Sequence, residues 1–218
     1  MTPMTRTTRT GLRGAAVAAA LLTGLTGCGA GDALDALDEA TGEGANISLD
    51  ATGLLRALPR NSDIGDVYVG GEPVTAQGAD AAELCAKRTD ATCDGVTVAG
   101  LKESVVRGSS SEDRIDFTLL VFGTQEQATA HVEKMTAGWK KPDVEKRRSV
   151  KPVSFDSGAD TTDAFTYADP AGTHVYMRVG SVVSAVAGSG VTAENVQTAA
   201  RMQADRIRTI AAGHDPKK

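Results

Sequence analysis

Residues 114–122 read Arg-Ile-Asp-Phe-Thr-Leu-Leu-Val-Phe, with Ile115, Phe117, Leu119 and Val121 on alternate positions. A period of two marks a strand that turns one face to a core. Before it, Gly108 to Asp113 is turn chemistry throughout and Val96 to Arg107 is rich in β-branched residues, so the two segments read as a hairpin. After it, Thr124-Gln-Glu-Gln127 has capping-box spacing and opens a helix. On that helix Ala128, Val132, Met135 and Trp139 form one apolar stripe.

The rest of the chain extends this pattern in both directions. Upstream, Asp50 reads as the N-cap of a short helix that ends before Pro59. A short strand is expected at Val67 to Val69, and Asp80-Ala-Ala-Glu83 has the spacing that opens a helix to about Arg88. Downstream, Val150 to Phe155, Thr162 to Ala168 and Thr173 to Val179 read as strands, and Gly180-Ser181 as a two-residue hairpin loop into Val182 to Ala187. Thr192 caps a final helix whose Val196, Ala199, Ala200, Ala204, Ile207 and Ile210 share a face. The expected fold is α+β, a largely antiparallel sheet with helices packed on one side, in a single domain from 46 to 213 with a disordered tail at 214–218.

The first 27 residues carry Arg6, Arg9 and Arg13 and no acid, then the apolar and small run Gly14 to Leu25, ending in Leu25-Thr26-Gly27-Cys28. A run of about a dozen residues falls short of the roughly 20 that span a bilayer, so 1–27 reads as an export signal. Its end resembles the lipobox of bacterial lipoproteins, which implies a diacylglyceryl thioether on Cys28 and a lipid anchor on the outer face of the membrane. An ordinary secretory signal, with Cys28 a bystander, is the alternative.

Of 23 cations and 28 anions, the signal holds three cations and no anions, which leaves a distinctly acidic remainder. Asp32, Asp35, Asp38, Glu39, Glu43 and Asp50 come with no Lys or Arg among them, and 28–45 reads as a flexible acidic tether. This balance argues against nucleic acid as a partner. One basic segment runs the other way. Lys140, Lys141, Lys146, Arg147, Arg148 and Lys151 gather just after Trp139, either as a contact for an anionic surface or as a solvated loop whose lysines guard an edge strand. The solvated loop is the preferred reading, and Trp139 reads as core more than as a ligand platform.

With Cys28 acylated, Cys85 and Cys93 remain, and in an oxidising compartment the simplest outcome is one disulfide. A free or metal-binding pair is the alternative. The chain has no GxSxG elbow, S-x-x-K, P-loop, HExxH or dinucleotide fingerprint. Asp90 to Gly95 is a near-miss for a calcium loop and reads as a turn. His131, His174 and His214 lack metal spacing, although folding could bring His174 to a carboxylate such as Asp163. No cofactor is expected.

Three features together carry a family resemblance: Leu54-Leu55-Arg56-Ala57-Leu58, then Phe-Gly-Thr-Gln-Glu-Gln-Ala at 122–128 leading into a helix that ends in Trp139, then a valine-rich strand before an amphipathic C-terminal helix. This order resembles the extracellular sensor domain of PknH-type actinobacterial kinases and their lipoprotein relatives, over most of 47–212. The Ala-, Gly-, Thr- and Arg-rich background is likewise that of a high-GC actinobacterium. A second comparison is with the PsbP-like lipoproteins of the same bacteria. The resemblance implies extracytoplasmic binding or sensing of an envelope protein or small ligand, without catalysis. Members usually carry two disulfides framing a cleft, whereas this chain has cysteines for one beyond Cys28. Two other classes stay open. An envelope hydrolase would need two carboxylates about 5–9 Å apart in a cleft, and a structural lipoprotein would show a broad apolar patch.

Overall fold

Ile115, Phe117, Leu119 and Val121 all enter one buried cluster, while Leu120 and Phe122 of the same strand enter a second. The strand is therefore covered on both faces where its sequence turns continuously apolar. The computed structural model describes residues 47–65, 68–89, 92–109, 113–141, 149–168 and 171–216. The expected export segment at 1–27, Cys28, the expected tether at 28–45, Asp90, Lys146, Arg147 and Arg148 lie outside the described residues.

Eight strands form one antiparallel sheet: β1 (Tyr68–Val69), β2 (Val74–Gln77), β3 (Val96–Val106), β4 (Arg114–Phe122), β5 (Lys151–Val153), β6 (Thr161–Ala168), β7 (Ala171–Val179) and β8 (Val182–Ser189). Their order is β1-β3-β4-β8-β7-β6-β5, with β2 also paired to β3, so β1 and β2 share one interrupted edge. The expected hairpin is β3–β4, in register from Val105 opposite Arg114 to Val98 opposite Val121. Gly180, at φ 59°, takes the first central position of the two-residue turn that joins β7 to β8. At the opposite edge, β5 is the short Lys151-Pro152-Val153, and both Lys and Pro discourage further strand pairing.

Among the described residues five helices cover the sheet, and they are divided between its faces. The first face carries α1 (Ala51–Ala57), the short α2 (Asn61–Ile64) beside it, and α5 (Ala193–Ala211). The second carries α3 (Gly78–Thr89) and α4 (Gln125–Trp139). The α+β class and the single antiparallel sheet are as expected, and the helices lie on both faces rather than on one. Val96, Ala99, Leu120, Phe122, Phe165, Tyr176 and Val183 make the second face apolar too, and α3 and α4 remove it from water. A second difference is the start of α3, which begins at Gly78 (φ 57°) rather than at an Asp80 cap.

The helix signals are otherwise realised. Asp50 Oδ1 accepts the Gly53 N–H at 2.6 Å, and Thr124 and Gln127 exchange both capping-box bonds. The six expected inward residues of α5 are all buried, and fully burying such a Leu, Ile or Val contributes about 1.5–3 kcal/mol. Two arginine networks lock the layers. Arg206 of α5 donates to the carbonyls of Arg56, Ala57 and Leu58 at the end of α1 and to Asp63 of α2. Asp160 accepts from Arg178, the Gly180 N–H and Arg208, tying the β5–β6 approach to the β7–β8 turn and α5. Past α5 the His214 N–H donates to the Thr209 carbonyl, and Arg56 pairs with Asp215.

Candidate functional site

The second face of the sheet changes character along its strands. On β4, Leu120 and Phe122 are apolar and lie beneath the helices, whereas Asp116 and Thr118 on the same face are polar. On β8 the corresponding positions pass from Val183 to the small Ala185 and Ala187. Where the helices stop, these residues floor an open groove of about 740 Å³. Met135 and Trp139 of α4 form one wall, Arg88 and Thr89 of α3 contribute the other, and His174 and Tyr176 of β7 complete the floor.

Half of the chain's eight Phe, Tyr and Trp side chains gather at this groove. Trp139 lies parallel to Tyr167 at 5.3 Å and to Phe165 at 6.5 Å, with the His174 ring tilted against it at 4.8 Å. The Trp139 indole N–H donates to Tyr176 Oη at 2.7 Å. Tyr176 Oη lies 3.0 Å from His174 Nδ1, and His174 Nε2 lies 3.0 Å from Tyr167 Oη. Because the indole can only donate, the Tyr176 proton is left for His174 Nδ1, and a proton on Nε2 then serves Tyr167. Burial pushes the Tyr176 phenol up to about 12, so it keeps its proton across the physiological range. The result is a rigid aromatic wall held by hydrogen bonds.

Asp116 is the group on the floor with a demand left open. Its Oδ2 accepts from Arg114 Nε at 3.1 Å, while Oδ1 is buried without a hydrogen-bond partner. Burial pushes the Asp116 carboxyl up, with Arg114 opposing and Glu103 adding to the rise. A raised folded value means that its contribution to stability is fully present below the ordinary carboxylate range and is lost as pH rises through the raised value. Asp116→Asn is therefore expected to raise the melting temperature at pH 7 by roughly 1–3 °C, with the gain gone below about pH 4. Differential scanning calorimetry at the two pH values checks this, and an equal change at both would contradict the assignment.

A larger cavity, about 950 Å³, lies between α1, α2 and the chain end, and its lining includes Arg206 and Lys102. Its buried cations are already engaged. Arg206 is bonded as above, and Lys102 Nζ donates to Asn61 Oδ1 at 2.7 Å and to the Gly71 carbonyl. Burial lowers the Lys102 ammonium, with Glu72 opposing. This cavity is built around structural bonds, which favours the aromatic groove as the site.

Of the residues singled out in the sequence, Cys85 and Cys93 form a disulfide with Cα atoms 6.0 Å apart. Trp139 completes the α4 stripe and also lines the groove, so it serves both roles. His174 reaches the groove, but its ring nitrogens meet Tyr176 and Tyr167, and Asp163 pairs with Lys140 at 3.3 Å instead. Lys141 stands at the groove, and Lys151 sits exposed on the edge strand β5. The sequence reading missed Asp116, Thr118, Ala185 and Ala187. Their signal was the switch from large apolar to small or polar residues along one strand face.

No family model matches the chain, and no curated protein is similar to it. Among solved structures it is similar to the extracellular domain of PknH from Mycobacterium tuberculosis, with a TM-score of 0.52 and 15% identity. The match covers 75% of this chain and 99% of that one. At that identity the likeness is one of fold, and it agrees with the fold implied by the sequence resemblance. Among the described residues no helix is long and apolar enough to cross a membrane.

Proposed function

We propose that this chain is a lipid-anchored, extracytoplasmic binding module, sensor-like and non-catalytic, that holds an envelope ligand in the groove between α4 and the sheet. The observation that carries the proposal is the groove itself: a rigid aromatic wall facing a floor that carries one carboxylate, Asp116, whose buried Oδ1 has no hydrogen-bond partner in the fold. That pairing suits a ligand with a flat or ring-shaped apolar face and a hydroxyl or ammonium donor. The likeness of fold to an extracellular sensor domain supports the same reading.

Two comparisons favour binding over the alternatives. Asp116 is the single carboxylate among the described residues lining the groove, whereas glycoside hydrolysis calls for two. The exposed large hydrophobics among the described residues are Leu55 and Val74, which make no broad apolar face for a structural role. The anchor would be Cys28, and residues 29–46 fully extended reach roughly 60 Å from it. Lys140 engaged by Asp163, and Lys151 on an edge, support a solvated role for the basic segment.

Trp139 is the only tryptophan, so the groove contains its own fluorophore. The test uses the Cys28→Ala chain titrated with wall glycans, headgroup analogues and wall peptides, reading indole emission and melting temperature together. One class is expected to shift both, and Asp116→Ala to weaken that binding at least tenfold. No response to any class, or a response untouched by Asp116→Ala, would overturn the groove as the site. Product appearing by mass spectrometry would overturn the non-catalytic half. Intact-mass analysis of the protein from its native membrane checks the anchor, with a diacylglyceryl adduct on Cys28 expected and a free thiol or retained leader contradicting it.

A further inference from the structure

The disulfide does not stand alone. Both sulfurs and one ring nitrogen of His131 lie within 4.8 Å of one another. His131 is 2% exposed and Cys85 fully buried, while Cys93 is half-buried, so the cluster is closed on most sides and open to a reductant on one. His131 Nδ1 lies 3.1 Å from the Thr92 carbonyl, which can only accept, so Nδ1 bears the proton and Nε2 carries the lone pair. That Nε2 is buried and has no hydrogen-bond partner. A ring N–H fixed by a backbone carbonyl, with the other nitrogen left basic and unmet, is the arrangement found for metal-bound histidines.

We propose that reduction of Cys85–Cys93 converts this cluster into a Cys2His site for copper(I). Among the described residues no other His, Cys, Asp or Glu joins the cluster, so it offers two soft sulfurs and one imidazole and no fourth ligand. Copper(I) favours soft thiolate donors, while a closed zinc site is almost always four-coordinate. The chemistry balances with an external thiol reductant. Two electrons and two protons from a dithiol, itself oxidised to a disulfide, turn the Cys85–Cys93 bond into two thiols. Binding of the metal then releases two protons and leaves a complex of net charge −1. Lys134, whose Nζ bonds Thr92 Oγ1 at 2.6 Å, places a cation beside it. Thr89 Oγ1 lies 3.7 and 3.8 Å from the two sulfurs and donates its proton to the Cys85 carbonyl at 3.0 Å. Thr89 and Lys134 also line the groove, so the cluster's neighbours, though not its ligands, border that site.

The experiment takes the full chain with Cys28→Ser, reduces it with a phosphine under anaerobic conditions, and titrates copper(I) against a chromogenic chelator. One ion per chain is expected for the reduced protein and none for the oxidised protein or the Cys85→Ser/Cys93→Ser variant. His131→Asn is expected to weaken binding about 10-fold or more. Since His131→Asn could disturb folding, X-ray absorption on the copper-loaded parent provides an independent reading, with two sulfurs and one nitrogen expected. Uptake no greater than in the double-serine variant, a shell of sulfur alone, or loss of far-UV circular dichroism on reduction before metal is added would each overturn the proposal. Zinc in place of copper, bound more tightly by the same three residues, would overturn the choice of ion.

Discussion

Replacing Arg206 with methionine is expected to destabilise the fold by about 3–5 kcal/mol, the range for breaking one side of a buried ion pair. The side chains of Arg206 and Asp63 are 8% and 9% exposed, and their contact is 2.9 Å. The same guanidinium donates to Arg56 O at 2.7 Å, Ala57 O at 3.1 Å and Leu58 O at 3.1 Å, carbonyls that the end of α1 cannot satisfy itself. Ala57 O also accepts from Gln203 Nε2 at 3.0 Å. Methionine fills similar volume, so the loss would report on bonds and charge rather than on a cavity. Lysine should not rescue it, because one ammonium cannot serve a fork of carbonyls. Urea denaturation gives the measurement, and a loss under about 1 kcal/mol would show the network to be dispensable.

The pH dependence of that loss has a definite sign. Burial alone would push the Asp63 carboxyl up, but hydrogen bonds from the Arg60 side chain and N–H, with the charge of Arg206, hold it below the ordinary carboxylate range. A depressed folded value contributes stability above the unfolded pKa of about 3.9 and loses it as pH falls through the folded value. The difference between parent and Arg206→Met should therefore narrow in acid, and a difference that stays constant to pH 2 would exclude the ion pair as its source.

Asp160→Ala is expected to cost about 2–3 kcal/mol, less than Arg206→Met because Asp160 is one-third exposed. Its Oδ2 accepts from Arg178 Nη1 at 3.1 Å and the Gly180 N–H at 2.8 Å, and Oδ1 from Arg208 Nη2 at 3.0 Å. Without it the Arg178 guanidinium, whose Nε is buried and unpartnered, keeps the Gly180 carbonyl at 3.1 Å as its hydrogen bond. The Gly180 turn also receives the N-terminal segment, where Ile47 O accepts the Ser181 N–H at 2.8 Å. Hydrogen exchange should show the Ser181 amide opening in Asp160→Ala, and unchanged protection there would contradict this linkage.

Much of this fold was legible because its signals are periodic. Alternation from Ile115 to Val121, the stripe ending in Trp139 and the inward face of α5 each repeat often enough to be read without tertiary information. β2 escaped because Val74, Thr75 and Gln77 are exposed on an edge and leave no buried period. The second layer of helices had a signal in the unbroken apolar run Leu119 to Phe122, which a strand covered on one face does not need. His131 also had one, since it falls inside the spacing of Ala128, Val132 and Met135 on α4. The groove was harder. Asp116, Ala187 and His174 lie on three strands, and only the pairings of β4 with β8 and of β8 with β7 bring them side by side.

On the proposed anchoring, the two margins of the sheet bear on how many copies can share a patch of membrane. One is broken between β1 and β2 by Gly70 to Pro73, and the other ends in Lys151-Pro152. Neighbours confined to two dimensions meet far more often than in bulk, and an unbroken rim would let them zip into ribbons. Here neither rim can template the next molecule, so such a lawn of tethered copies could grow dense and still leave every copy free to turn.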